Sequence, residues 1–372
     1  MRVLVFNNCP PTLQGGGAER TFRVFCEALT EKGFDVYALF PEREKFKFQE
    51  SYKFKFITFK ERANISGYTL SVKNIIKIIK EVNPDVIHLL DGLTPTDLFL
   101  IIANKLMLKK PLFVDAIALY RNPVFNIMVR LQMPFYNLVE GISVSNPHLK
   151  KTIIRWFVKK SKILDCNPLL IDVDDKVLLP KRGQKGAFNY IFIGVLDEAH
   201  TYKGLDLLLK AFSNVNSMAT EKNIYLTVVG AGNSIKYFRS LAQKGNISNI
   251  VFKGFAPSIK QELNNADALI LPSKKRGEGF GKVIIEASLQ GLPVLVSKYA
   301  GGSYLVRHFK IGRIFNPYLH KQAARSIITF AKECRENVYN ENIVEFQKWL
   351  LSERDNILNL IIDKYLSSNK RV

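Results

Sequence analysis

Apolar positions along this chain recur at two spacings that alternate almost throughout. Residues 2–6 form a short apolar run that suits a buried strand. After a loop holding Pro10, Pro11 and Gly15-Gly16-Gly17, the pattern turns helical at Phe22, Phe25, Cys26 and Leu29. Gly33 caps that run, and 35–40 reads as the next strand. A helix over 71–82 follows, then a strand ending near His88 to Leu90, another over 112–115, and one over 141–145 that leads into a helix near Pro147. Repeated strand, loop, helix, strand units predict a doubly wound parallel sheet.

Between Asn167 and Lys185 the periodicity fades into Asp172, Asp174, Asp175, Pro180, Lys181 and Arg182, as in a linker. A second series then begins, with strands over 190–194, 225–229, 250–252, 268–271 and 294–297 and helices over 205–212 and 259–266. The last apolar series, from Phe346, Trp349 and Leu350 to Ile361 and Tyr365, reads as one long helix that could cross back to the first domain. At 372 residues the chain is longer than single cores usually grow. The expected division is a Rossmann-like domain over 1–175, a second over 176–345 and a terminal helix over 346–372.

Two stretches carry an unusual mixture of lysine and aromatic residues. Lys45, Phe46, Lys47 and Phe48, then Tyr52, Lys53, Phe54, Lys55, Phe56 and Phe59, fit either a half-buried edge strand or a loop that puts phenylalanines into a lipid interface. From Pro147 the expected helix runs through Lys150, Lys151, Trp156, Phe157, Lys159, Lys160 and Lys162, either as an interfacial helix or as a domain helix with a solvated basic face. The net charge of +21 points to an anionic partner surface, acidic lipid or nucleic acid, unless it is compositional drift. No RNA-binding signature accompanies it, so no nucleic-acid partner is expected. The start has too short an apolar run for a signal peptide, and no run is long enough to span a bilayer, which predicts a cytoplasmic chain. Cys9, Cys26, Cys166 and Cys334 form no C-x-x-C pair and suggest neither a disulfide framework nor a metal site.

The stretch with the most chemistry is Gly277-Glu278-Gly279-Phe280-Gly281-Lys282, set directly before an amphipathic run that contains Glu286. The glycines let a ligand approach the backbone, and free amides at a helix start can meet an anion. Two carboxylates beside a phosphate site are better employed accepting from neutral hydroxyls of a ribose and a sugar. A nucleotide sugar satisfies both demands.

With seven residues between Glu278 and Glu286, and Gly291-Leu292-Pro293-Val294 beyond, this region resembles the E-x7-E region of GT4-type retaining glycosyltransferases. The likeness extends over Gly15 to Glu19, Asp85 to His88, Ser145, Asn167, Gly194, Lys203-Gly204, Gly230 to Gly232, Pro272-Ser273 and Gly301-Gly302. It implies an α/β chain of the GT-B fold, two Rossmann-like domains facing a cleft. It also implies that Glu286 holds ribose hydroxyls, Glu278 contacts the donor sugar, amides of Gly279, Phe280, Gly281 and Lys282 face the diphosphate, and Lys203 supplies charge to the leaving group. Gly194 and Gly230 would line the donor site, with Gly16 and Gly17 closing over the phosphates. Two departures stand out. Val195 occupies the place of the family's arginine, for which Lys274, Lys275 or Arg276 could substitute. Asp115 and Ala116 stand where a histidine is often found, which would pass that work to His88.

The expected function is retaining transfer of a sugar from a UDP- or GDP-linked donor to a glycan acceptor, a lipid-linked surface polysaccharide or lipopolysaccharide. The expected place is the inner face of the cell membrane, held peripherally on an anionic surface, with no metal or cofactor. A sugar-nucleotide epimerase, a glycan phosphorylase and a non-catalytic basic binding protein are the alternatives.

Overall fold

A computed structural model describes residues 1–12, 17–42, 51–60, 72–117, 123–164, 166–167, 178, 186–218, 223–275 and 278–370. Gly15, Gly16, Arg276, Gly277, the Lys45 to Phe48 alternation and most of the expected linker lie outside these residues. The chain divides into two compact units, one made of Met1–Asp172 with Glu353–Val372 and the other of Val173–Ser352.

The first unit contains β1 (Arg2–Phe6), α1 (Gly17–Glu31), β2 (Asp35–Glu42), β3 (Lys55–Lys60), α2 (Val72–Val82), β4 (Val86–Gly92), α3 (Pro95–Ala103), β5 (Leu112–Ala116), α4 (Pro123–Gln132), β6 (Gly141–Val144), α5 (Pro147–Arg155) and β7 (Ile163–Leu164). Its sheet is parallel, in the order β3-β2-β1-β4-β5-β6-β7. The central strands are apolar on both faces because helices cover both, and Val86, Ile87, Leu89, Leu112, Phe113 and Val114 are all buried. At the edge, β3 turns lysines outward, and Lys55 Nζ reaches Asp35 at 2.9 Å on the neighbouring strand.

Several elements of this unit depart from the periodicity reading. The apolar pattern does not mark α3, whose start is set by the reciprocal capping box of Thr94 and Asp97 around Pro95. It runs into a π-helical turn, Asn104–Leu108, closed by Lys109 in the left-handed region. The expected helix from Pro147 ends at Arg155 instead of continuing to Lys162. Phe157 takes φ +74, and the Trp156 and Val158 amides donate back to Ile153, which closes the helix after nine residues.

In the second unit, β8 (Phe188–Ile193), α6 (Leu205–Met218), β9 (Ile224–Val229), α7 (Ile235–Lys244), β10 (Ile250–Gly254), α8 (Ile259–Asn264), β11 (Ala268–Leu271), α9 (Val283–Leu289), β12 (Val294–Ser297), α10 (Ser303–Phe309), β13 (Gly312–Phe315) and α11 (His320–Arg335) follow in order. The parallel sheet reads β10-β9-β8-β11-β12-β13. The chain moves one way from β8 and the other way from β11, so right-handed crossovers put the following helices on opposite faces. The loops leaving these two adjacent strands therefore part at a topological switch point, where open sheets of this kind form a crevice.

The final helix, α12 (Asn340–Asn369), contributes to both units. Its first half buries Ile343, Phe346 and Leu350, with the Phe309 ring tilted against Phe346 and Trp349 at 4.8 and 4.7 Å. Its second half buries Ile357, Leu358, Ile361 and Tyr365.

Candidate active site

The loops from β8 and β11 meet through Lys203 and Glu278. Lys203 ends a short 3-10 turn, Thr201–Lys203, and its Nζ lies 2.8 Å from Glu278 Oε2. The two side chains are only 18% and 8% exposed. Ser273 Oγ donates to the same carboxylate oxygen at 3.4 Å, a long contact. Burial pulls the Lys203 ammonium down, but Glu278, Tyr202 and Glu286 together outweigh it, so its pKa lies above the ordinary lysine value. Lys203 is thus a fixed, fully charged cation at the switch point.

The backbone makes this pairing possible. Gly204 holds φ +78, and a Cβ there would lie 2.0 Å from the Pro272 carbonyl oxygen. Only glycine lets the β8 loop lie flat against the β11 loop. The Lys274 amide then donates to the Tyr202 carbonyl at 2.8 Å, and Lys274 Nζ pairs with Asp206 at 2.8 Å. On the other side of the glutamate, a Cβ on Gly301 would come within 1.8 Å of the Gly279 carbonyl oxygen, while the Gly302 amide donates to the Phe280 carbonyl at 2.6 Å. The loop that carries Glu278 is therefore clasped between β8's loop and the turn after β12.

The remaining expected residues are distributed as follows. Phe280 is buried, with its ring 6.5 Å from Tyr304. Gly281 packs against Leu271, and Lys282 directly precedes α9 with helical backbone angles. Glu286 lies half-buried in the first turn of α9 and adds to the field at Lys203. Gly194 donates its amide to Val229 at 3.1 Å, and Gly230 closes on the Gly194 carbonyl. Val195 is 43% exposed. Of its three expected substitutes, Lys274 is engaged with Asp206, Lys275 is exposed with its amide on Tyr318 Oη at 3.0 Å, and Arg276 is outside the described residues.

In the first unit, Gly17 opens α1 and is exposed, and Gly16 is outside the described residues. His88 is 2% exposed, inside the unit. Its Nδ1 meets the Tyr365 hydroxyl of α12, its Nε2 lies 3.0 Å from Asp115, and Asp115 in turn accepts from Ser143 Oγ. Phe25 packs edge-on against the imidazole at 4.9 Å. These surroundings make His88 the seat of α12.

The β8 loop contains polar residues that periodicity did not single out. Asp197 accepts from the His200 amide at 2.8 Å and pairs with His200 Nδ1 at 2.6 Å. The Tyr202 ring lies 5.6 Å from Lys203 Nζ, and His200 is 5.6 Å from Tyr202. The signal available in the sequence was the D-x-x-H spacing, which lets a carboxylate close a turn on the histidine three residues later. Among the described residues, no group of three histidine, cysteine, aspartate or glutamate side chains is placed to hold a metal ion.

A model of the "Glycosyl transferases group 1" family matches residues 181–343, and one described as "Glycosyl transferase 4-like" matches 18–119. Protein CapJ of Staphylococcus aureus is 28% identical over 327 residues, spanning 82% of this chain and 75% of that protein. The crystal structure of Anabaena HepE in complex with UDP has a TM-score of 0.74 at 16% identity, covering 98% of this chain and all of that one. WaaG, described as a glycosyltransferase involved in lipopolysaccharide biosynthesis, has a TM-score of 0.70 at 14% identity, covering 97% and 99%.

Proposed function

Since the chain belongs to the group 1, GT4-like glycosyltransferases of the GT-B fold, we propose that it moves a sugar, with retention at the anomeric carbon, from a nucleotide-sugar donor to a glycan acceptor. The donor is UDP- or GDP-linked; the UDP in the HepE structure supports a nucleotide of this kind. The acceptor is a lipid-linked surface glycan met at the inner face of a membrane, a reading that the lipopolysaccharide role of WaaG supports. No described helix is long and apolar enough to cross a membrane, which suits peripheral attachment.

The observation that carries this reading is the Lys203–Glu278 pair at the switch point of the second unit. In the reaction, the bond between the anomeric carbon and the diphosphate oxygen breaks, and the acceptor oxygen bonds that carbon on the same face. The acceptor's proton passes to a diphosphate oxygen. The diphosphate gains negative charge as it leaves, and Lys203, held charged and partly out of water, stabilises it. Glu278 keeps the ammonium in place and presents its second oxygen to a donor hydroxyl, while Glu286 takes the ribose hydroxyls and the loop from Gly279 to Lys282 faces the phosphates. Gly194 and Gly230 complete the donor site within this unit.

A panel of UDP and GDP sugars screened by thermal unfolding should find a donor that raises the melting temperature by mass action. Incubation of that donor with lipid-linked acceptors should then yield an α-configured product from an α-configured donor. A donor that binds but is only epimerised, or a glycan that is shortened by phosphate in place of being extended, overturns the reading.

A further inference from the structure

The first unit carries a concentration of exposed apolar side chains that its own core does not use. Nine large ones lie between Phe99 and Phe157 in the sequence: Phe99 on α3, Leu106 and Met107 on the π-helical turn, Ile127, Met128 and Leu131 on α4, Phe135 and Leu138 on the 3-10 turn Met133–Leu138, and Phe157 after α5. Leu106, Leu131 and Phe157 are each about two-thirds exposed or more, at 71%, 70% and 67%. These elements are neighbours. The helix α3 runs directly into the first turn and packs on the second, into which α4 leads. Asn137 ties in the last element, donating to the Phe157 carbonyl at 2.9 Å and accepting from the Lys159 amide at 2.7 Å. Those two bonds hold Phe157 in its left-handed conformation with the ring outward.

The charge around these side chains is predominantly positive. Lys105, Lys109, Arg130, Arg155, Lys159 and Lys160 are all exposed beside them. Over residues 98–164 there are eleven lysines and arginines against two acids, and one of those, Asp115, is buried with His88. Single exposed apolar residues are ordinary, but a contiguous group of this extent marks an interaction surface. A second copy of the chain would bring an identical positive rim against this one, which like-charge repulsion disfavours. Nucleic acid would match the rim but give the leucines and methionines nothing to bury against. An acidic bilayer answers both features, because apolar side chains enter the acyl boundary while lysines and arginines stay at the head groups.

We propose that this face of α3, α4 and their two turns docks the protein on anionic lipid. The surface deepens the reading of a lipid-linked acceptor by naming where the enzyme meets the membrane, and it relies on that reading only for its biological sense. Of the two stretches that the sequence offered for lipid, the one from Pro147 contributes Arg155 and its exit turn with Phe157, Lys159 and Lys160, and residues 45–50 of the other lie outside the described residues.

The test is co-sedimentation of the full chain with vesicles of phosphatidylcholine alone or mixed with phosphatidylglycerol. Binding should require phosphatidylglycerol and weaken with salt. Leu131→Asp with Phe157→Asp should lower the partition coefficient about tenfold or more, and Lys159→Glu with Lys160→Glu should lower it to a similar extent. All four positions are exposed, so thermal unfolding and donor binding should match wild type. Wild-type protein that ignores acidic vesicles, variants that bind them unchanged, a dimer that Leu131→Asp dissociates in place of vesicle binding, or binding to nucleic acid alone would each overturn the proposal. Loss of vesicle binding with sugar transfer to a soluble acceptor intact removes only this face, whereas vesicle binding without transfer removes only the catalytic reading.

Discussion

Removing either partner of the Lys203–Glu278 pair strands the other in a largely dry site. Replacing Glu278 by Leu leaves an ammonium 18% exposed without its carboxylate, and replacing Lys203 by Met leaves a carboxylate 8% exposed without its cation. Breaking a fully buried pair costs about 3–5 kcal/mol, and the water that still reaches Lys203 reduces this to roughly 2–3 kcal/mol for each single variant. In a unit of this size that corresponds to a melting shift of roughly 4–12 °C. The double variant, which leaves no orphaned charge, should lose far less than the sum of the two. Calorimetry on the four proteins gives the coupling by a double-mutant cycle, expected at about 1–3 kcal/mol. The sign with pH follows from the raised lysine: its contribution is fully present below the ordinary lysine value of 10.5 and is lost as pH climbs through the higher folded value. Additive losses would refute the pairing and with it the preorganised cation.

Activity should follow a different pattern, with Lys203→Met lowering kcat about a hundredfold or more while the double variant, although stable, recovers none of it; single-turnover kinetics checks this. Gly204→Ala, which drives a methyl into the Pro272 carbonyl, should cost roughly 2 kcal/mol or more in urea unfolding and weaken donor binding in the same protein. Tyr365→Phe removes the hydroxyl facing His88 and should destabilise the chain by about 1–3 kcal/mol without changing donor affinity. Burial pushes the Asp97 carboxyl up to about 7 against the opposing hydrogen bonds of Thr94. The folded chain therefore keeps a proton that the unfolded chain loses, and stability falls as pH rises from about 4 to about 7, by roughly 4 kcal/mol at most. Asp97→Asn should flatten that slope when unfolding is followed across the same range.

Much of the architecture could be read from periodicity because central strands of a parallel sheet are continuous apolar runs with helical spacing between them. β11 and β12 begin and end where that reading put them. The Thr94 to Asp97 box was equally legible and announces α3 as clearly as any apolar stripe. The end of α5 was not, since nothing in Trp156-Phe157 demands a left-handed residue; two bonds from Asn137, twenty residues away, support it. The site divides in the same way. Glu278 and Glu286 are close in sequence and could be recognised together, whereas the contact of Glu278 with Lys203 depends on β8 and β11 being neighbours, a fact of sheet order. The apolar face was invisible for a simpler reason. Leu131 and Met133 look alike in a hydropathy pattern, yet the first is 70% exposed and the second fully buried.

The long helix α12 has a bearing on how the protein is made. The second unit is one continuous segment, Val173–Ser352, while the first is closed by residues Glu353–Val372. During synthesis the middle of the chain can therefore reach its final form while the earlier-made sheet still lacks Tyr365, the partner of His88. Until α12 leaves the ribosome, the nascent first unit lacks the Tyr365 ring that packs against His88 and Phe113, so those two side chains stay uncovered on that side longer than the rest of their sheet.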